Sequence, residues 1–371
     1  MKSDTQSTEK SSLVVKREGN SPVNSSNSLA KKNIGDAQKK STSQKSDEKI
    51  DPNQHIYEAV WRIVFLIMLF IGLVLIEKVY RFHNDPATVH IPKGSIYDFY
   101  ISILTACVIA IIRFLIKQVF QKKIYDLLGE RRKKTYEEGM KRADQLCKWS
   151  FDIIYYSFST VIGYLIVKNQ AFLPPTMLGH GQCSNLFMQY PEVPQIPYLR
   201  LFYLVQAGTH LYTLVFQLIA KRKDPKFYEY SLHHLLAMFL IWFSYMMNFL
   251  IVGTIVLILH DPCDVFLVAA RAYNDLKCRV MAFNALLVCI SYPLWLYTRN
   301  FIFPQCVIKS CYDFFINFDF EKLPRDIFFL PCLYMLVMLG VLAVMHIYWT
   351  YFYSKAVITF TQGKDKNGYD S

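Results

Sequence analysis

Eight stretches of about 20 predominantly apolar residues run through this chain, at roughly 57 to 80, 97 to 117, 149 to 168, 197 to 220, 229 to 247, 249 to 270, 279 to 303 and 327 to 354. A helix rising 1.5 Å per residue needs about that length to cross the ~30 Å hydrocarbon core, and only helices or closed barrels satisfy their backbone groups there. The fold class read from this is an all-α polytopic membrane protein with about eight transmembrane helices. Composition agrees: 53% of the 371 residues are hydrophobic and 16% aromatic. The net charge of +12 does not point to nucleic acid, because Lys and Arg fall between apolar spans and do not interleave with exposed aromatics. The nine cysteines include no CxxC pair, which argues against a zinc site or a dense disulfide scaffold. Cys306, Cys311 and Cys183 could pair if they face an oxidising lumen, with unpaired thiols as the default.

Residues 1–55 are rich in Ser, Lys, Asn and Asp and almost free of aromatics, so a disordered tail is predicted. That segment lacks the apolar core of a cleaved signal peptide, leaving the first span as an uncleaved anchor. Residues 56–142 hold two spans and a basic loop, 143–355 a six-span domain, and 356–371 a C-terminal tail. Loop charge orients the set. The N-terminal tail, FQKKIYDLLGERRKKTYEEGMKRADQLCK, KRKDPK, RAYNDLK and the C-terminal tail are basic, whereas NQAFLPPTMLGHGQCSNLFMQYPEVPQIP has no Lys or Arg. Both termini are therefore predicted cytosolic. Trp61, Trp149, Trp349 and several span-end tyrosines read as interfacial belts.

The fifth and sixth spans, SLHHLLAMFLIWFSYMMNFLIVGTIVLILHDPCD, are joined almost without a loop. A hairpin turning at Asn248 places His234 and Asp261 at matching depth, about 20 Å from the turn. His260, Asp261 and Asp264 share one flank of the sixth helix through their i, i+3 and i, i+4 spacing. A charged Asp near a helix centre is disfavoured by about 2.5–3.5 kcal/mol, so two of them must face a protein interior or a wet cavity. His233, His234, Asp261 and Asp264 are the candidate catalytic set. Lone His210 and His346 are predicted to make ordinary interhelical hydrogen bonds, and Pro262 to kink its span.

Adjacent histidines point about 100° apart around a helix, which speaks against both binding one metal ion, and no metal is predicted. Acid/base or nucleophilic catalysis fits better, one imidazole aimed at substrate and a carboxylate fixing its tautomer. Lys221, Arg222, Lys223 and Lys226, with Arg271 across the next link, could hold a polyanionic headgroup such as the phosphates of coenzyme A. Their alternative role is topology-setting charge.

His233-His234, Asn248, Gly253-Thr254, His260-Asp261-x-x-Asp264 and Arg271, preceded by KRKDPK, resemble the Lag motif of ceramide synthases within the TLC membrane domain. The likeness runs from about 143 to 352. It implies a six-helix barrel with a central tunnel, preceded by two extra spans, in the endoplasmic reticulum membrane. It further implies N-acylation of a sphingoid base such as sphinganine or sphingosine by a fatty acyl-CoA, with His260, Asn248 and Arg271 in support. No cofactor is implied beyond that acyl-CoA co-substrate. A homo- or hetero-dimer with another ceramide synthase and a small accessory subunit belong to the same expectation, as does an influence of the 303–324 segment on acyl length. Members usually carry Thr, Arg, Glu and Lys where Ala237, Ile251, Val268 and Arg271 stand here. Two other classes remain: a non-catalytic TLC-type lipid-sensing or translocon-associated protein, and a proton-coupled carrier.

Overall fold

The computed structural model describes residues 54–222, 227–319 and 325–362. The expected tail over 1–53, the end of the C-terminal tail, and Lys223 and Lys226 lie outside the described residues. The long helices are α1 (Gln54–Asn84), α2 (Tyr100–Leu127), α3 (Tyr136–Val167), α4 (Leu199–Ala220), α5 (Phe227–Met246), α6 (Leu250–Asn274), α7 (Met281–Asn317) and α8 (Arg325–Thr361). Each covers all or nearly all of one of the eight apolar stretches. Among the described residues the β-structure is one isolated bridge, Leu128 with Leu276, and the chain is an all-α polytopic membrane protein. Six of the helices, α1, α2, α3, α6, α7 and α8, are long and apolar enough to cross a membrane. The two that are less apolar, α4 and α5, carry Gln206, His210 and Gln217, and Glu229, His233 and His234, respectively. In both cases it is the chemistry-bearing groups that dilute the apolar character.

Helix α6 is the centre of the packing, lying against α3 and α7, while α2 packs on α3 and α4, and α8 on α5 and α7. The sequence explains the order of layers. On α1 and α2 large apolar side chains such as Phe70 (68% exposed) and Leu104 (59%) point outward, as lipid-facing helices require. On α6 Ile255, Leu259 and Cys263 are buried instead. Helix α1 closes on α8 and α5 through side chains: the Tyr334 hydroxyl donates to the Met68 carbonyl at 3.2 Å, the Trp61 and Tyr348 rings meet edge-on at 5.6 Å, and the Arg62 guanidinium stands 4.4 Å from the Tyr228 ring centre.

Helix α7 departs from expectation. It does not end near residue 303 but continues to Asn317, in three parts: α-helical over Met281–Trp295, π-helical over Leu296–Ile308 and α-helical again over Lys309–Asn317. Pro293 and Pro304, near the two ends of the wide part, each lack an N–H and so loosen the ordinary ladder where it changes. Most of the link expected between the seventh and eighth spans is thus helix.

The α5–α6 hairpin turns where expected. Asn248 is fully buried with φ of 65°, a left-handed backbone that Asn tolerates better than most residues. Its amide donates to the Pro191 carbonyl at 2.6 Å, and the Phe249 N–H reaches the Ser244 carbonyl at 2.7 Å. The 169–197 segment lies over this turn, since the Tyr190 hydroxyl also donates to the Met247 carbonyl at 3.0 Å. A disulfide joins Cys183 of that segment to Cys306 of α7, correcting the default of free thiols for these two, while Cys311 is buried and unpaired. The pairing follows from the segment folding back onto α7, where the Ser310 hydroxyl donates to the Cys183 carbonyl at 3.0 Å.

Asn248→Ala should lower the stability of the detergent-solubilised protein by about 2–3 kcal/mol, from backbone strain and loss of the bond to Pro191. Asn248→Gly, which relieves the strain, should cost roughly half as much. Thermal unfolding of the two variants side by side checks the order.

Candidate functional site inside the helical bundle

A cavity opens between α3, α4, α5, α6, α7 and α8. His233 and His234 enter it from α5, His260, Asp261 and Asp264 from α6, His210 from α4 and Arg299 from the π-helical part of α7. The hairpin therefore brings together the four residues proposed as catalytic. Its apolar walls include Leu240, Ile241, Val256, Met335, Leu339 and Leu342, so the polar groups gather along one part of an otherwise hydrocarbon-like space.

The two carboxylates are well supplied with donors. Asp261, 6% exposed, accepts a bond from the Ser159 hydroxyl and another at 2.8 Å from the Gln206 amide. Gln206 also donates to Ser159 and accepts from the Tyr155 hydroxyl, so α3 and α4 together build the cradle. Asp264 forms an ion pair with Arg299 at 2.8 Å. The same guanidinium donates to the His260 carbonyl at 3.2 Å and lies 4.2 Å from the centre of the Trp295 ring. Buried charge is tolerated when it is paired and hydrogen-bonded in this way.

The imidazoles fall into two groups. His260 Nδ1 donates to the Val256 carbonyl at 2.6 Å, and its Nε2 meets His346 Nε2 at 3.0 Å. With Nδ1 carrying the proton, Nε2 accepts from His346, which is the interhelical bond expected of His346. His233 and His234 differ. Their rings stand 5.2 Å apart, the Nδ1 of each is buried without a partner, and neither ring makes a hydrogen bond with the described residues. Trp349, expected in an interfacial belt, packs edge-on against His233 at 4.9 Å, and its indole N–H donates to the buried carboxylate of Glu229. His210 lines the cavity without a hydrogen-bond partner among the described residues, so the interhelical bond expected of it is not made.

Other expectations change. A carboxylate was to fix the tautomer of one catalytic imidazole, but Asp261 is held by Ser159 and Gln206 and Asp264 by Arg299. Packed between α3 and α7, α6 offers its acids to donors on those helices and on α4 before α5 can reach them. Asn248 is a turn residue, away from the cavity. Arg271 is exposed in the last turn of α6, Arg222 is exposed and bonded to the Leu218 carbonyl at 2.8 Å, and Lys221 caps α4. None of these cations lines the cavity. Pro262 sits inside an α6 that continues as helix to Asn274. Among the described residues, no group of three His, Cys, Asp or Glu side chains is placed to hold a metal ion.

Sequence reading passed over Arg299, Gln206 and Ser159. Arg299 left only a weak signal: four residues from the end of the 279–303 stretch, a guanidinium can snorkel to the interface and does not by itself call for an acidic partner. Ser159 and Gln206 left almost none, because one hydroxyl or amide in a span is ordinary.

Residues 145–355 match the family model described as the TLC domain, and every residue lining the cavity falls within that range. The chain is 28% identical over 210 residues to ceramide synthase 4 of Bos taurus, covering 56% of this chain and 48% of that protein. It is 32% identical over 204 residues to ASC1-like protein 3 of Oryza sativa subsp. japonica, covering 53% and 66%. With ceramide synthase 1 LOH3 of Arabidopsis thaliana, identity is 26% over 282 residues, covering 72% and 88%. Of the bovine and rice proteins, the chain thus spans between about half and two thirds of the full length.

Gly253 abuts the cavity wall so closely that an added Cβ would lie 2.0 Å from the Tyr203 hydroxyl. Gly253→Ala should displace Tyr203, break its bond to Ser244 and lower the unfolding midpoint by the equivalent of about 1–3 kcal/mol. Thermal unfolding of Gly253→Ala, compared with Gly253→Ala/Tyr203→Phe, which removes the clashing oxygen and should regain part of the loss, tests this.

Proposed function

The chain belongs to the TLC-domain family, and on that premise we propose that it is an acyl-CoA-dependent N-acyltransferase of the ceramide synthase kind, acting on a sphingoid base. The observation that carries the reading is the pair of imidazoles on α5. Both line a mostly apolar cavity, neither is hydrogen-bonded to the described residues, and the acids beside them are already satisfied. A structural polar network bonds its members to one another. His233 and His234 are left able to bond to something that enters.

In the proposed reaction the acyl chain lies along the apolar wall, with its thioester carbonyl beside the histidines. An imidazole takes the proton as the amine attacks that carbonyl, the C–N bond forms, the C–S bond breaks, and the proton passes to the departing thiolate. In the covalent variant the imidazole nitrogen first takes the acyl group, releasing the thiol, and the amine then displaces it as the amide forms. Asp264, paired with Arg299, and Asp261, held by Ser159 and Gln206, are fixed before substrate arrives. Their role is to stabilise the imidazolium that develops, in a site where displaced water cannot screen it. Ceramide synthase names among relatives that match this chain at 25–29% identity support the same reaction class.

An endoplasmic reticulum location with both termini cytosolic fits this reading. The disulfide end of the bundle would then lie in the lumen, where such bonds persist, and the basic links on the side that supplies acyl-CoA.

Purified full-length protein given labelled sphinganine and a panel of acyl-CoAs should form the N-acyl product. His233→Ala, His234→Ala and Asp261→Asn should each slow turnover by about 100-fold or more. Mass spectrometry of the intact enzyme separates the covalent from the direct route. Wild-type rates in all three variants would overturn the proposal.

A further inference from the structure

Past the cavity, away from the Asn248 turn, a second charged region joins four helices. Arg113 of α2, Lys148 of α3, Lys221 at the end of α4 and Arg271 in the last turn of α6 supply its cations. Lys148 lies within electrostatic reach of the other three and of Asp152. Arg113 pairs with Asp152 at 4.0 Å, with side chains only 10% and 15% exposed. Its guanidinium stands 5.0 Å from the Tyr212 ring centre and 5.6 Å from that of Phe216, which the Lys148 ammonium approaches to 6.0 Å.

The charges do not balance. Asp144, one turn before Lys148, is taken by Lys117 at 3.1 Å. Among the described residues Lys148, Lys221 and Arg271 have no carboxylate within salt-bridge distance, leaving four cations against the single carboxylate of Asp152. Cations that only set topology extend into the headgroup water on flexible stems. Lys148 is held over an aromatic ring between helices, beside two other unpaired cations, an arrangement that costs stability unless an anion joins it.

Its position relates it to the cavity. Asp152 stands one turn before Tyr155 and Tyr156 of α3, which line the cavity, so the cluster begins where the cavity ends. Arg271 stands ten residues beyond Asp261, the residue level with His234, on the same helix, about 15 Å along its axis. A ligand with phosphates on the cluster and a reactive group by the histidines would need a slender arm of about that length between them.

We propose that Lys148, Lys221 and Arg271, backed by the Arg113–Asp152 pair, form the subsite for the phosphates of the acyl donor, whose thioester arm runs inward past Asp152 to the histidines. This rests on the acyltransferase reading and moves headgroup binding from the 221–226 link to the helix ends around Lys148. Phosphate oxygens accept charge-assisted bonds from ammonium and guanidinium groups alike, and the rings of Tyr212 and Phe216 form a floor under Arg113 and Lys148.

The test uses full-length protein and two acyl donors with the same chain: acyl-CoA, and an acyl thioester of N-acetylcysteamine, which has no phosphate. For Lys148→Met, Lys221→Gln and Arg271→Met, KM for acyl-CoA should rise several-fold to about tenfold, and the loss in kcat/KM should be at least fivefold larger with acyl-CoA than with the phosphate-free donor. Lys148→Arg should recover most of the loss, and 3′,5′-ADP should compete with acyl-CoA in wild type more strongly than in the variants. Equal losses with both donors, or none, would overturn the subsite. Unfolding midpoints show whether each variant is folded. Calorimetric titration with coenzyme A alone reads the subsite without turnover. If wild type binds coenzyme A, Lys148→Met binds it about tenfold more weakly, and neither donor reacts, the acyltransferase reading fails while the subsite stands. If wild type turns over both donors and coenzyme A binds both proteins equally, the subsite fails alone.

Discussion

The ion pair between Asp264 and Arg299 is the contact on which the interior depends. Either charge alone in a helical bundle within lipid would be expelled or neutralised. Paired at 2.8 Å, they let α6 and α7 each carry a polar group at the depth where the cavity lies. The π-helical stretch Leu296–Ile308 is where that pair is made. Its wider turn brings Arg299 to both the Asp264 carboxylate and the His260 carbonyl, so one guanidinium fastens α7 to a side chain and to the backbone of α6. The polar bonds of His260 to His346, and hence to α8, build on that fixed backbone.

From that fastening follows a division of labour. Helices α3, α4 and α7 satisfy the acids of α6, and α8 satisfies His260, while the imidazoles of α5 are left without hydrogen-bond partners among the described residues. Unpaired polar atoms inside a protein cost about 1–3 kcal/mol each, and in a fold built only for stability they would have acquired partners as Asp261 did. The asymmetry separates a rigid, fully bonded half of the site from a half that is open to a ligand.

Much of this was legible in the chain. Apolar runs of membrane-spanning length set the all-α class, and Asn248 declared its turn because few residues other than Asn or Gly fit a left-handed link between two helices. Matching distances from that turn put His234 and Asp261 in one cavity without any tertiary information. What stayed hidden involved partners from elsewhere in the chain. Ser159 and Gln206 are separated by 102 and 55 positions from the Asp261 they bond, and no local pattern records such a pairing. The end of α7 was hidden for another reason: beyond Phe303 the chain becomes polar and contains Pro304, which reads as loop, yet a wide helical turn accommodates that proline. Cys183 and Cys306 were candidates for pairing, but they stand 123 positions apart, and only the fold of the 169–197 segment against α7 selects Cys306 over Cys311.

The order of charge along the bundle follows from the same constraint. At the Asn248 end the charges are of both signs, Arg200 donating to the Asn248 side chain at 3.5 Å and Asp98 accepting from the Tyr245 hydroxyl at 2.6 Å, with the disulfide holding the loop that covers the turn. Midway come acids with donors and bases without. Beyond them, cations outnumber acids around Lys148. An anionic group is repelled least at that far end and a neutral, apolar chain is accepted best at the near one, so a molecule with a charged head and an apolar tail has one favourable direction of entry. It passes the acids with its uncharged middle, and that middle is the part the two unbonded imidazoles can reach.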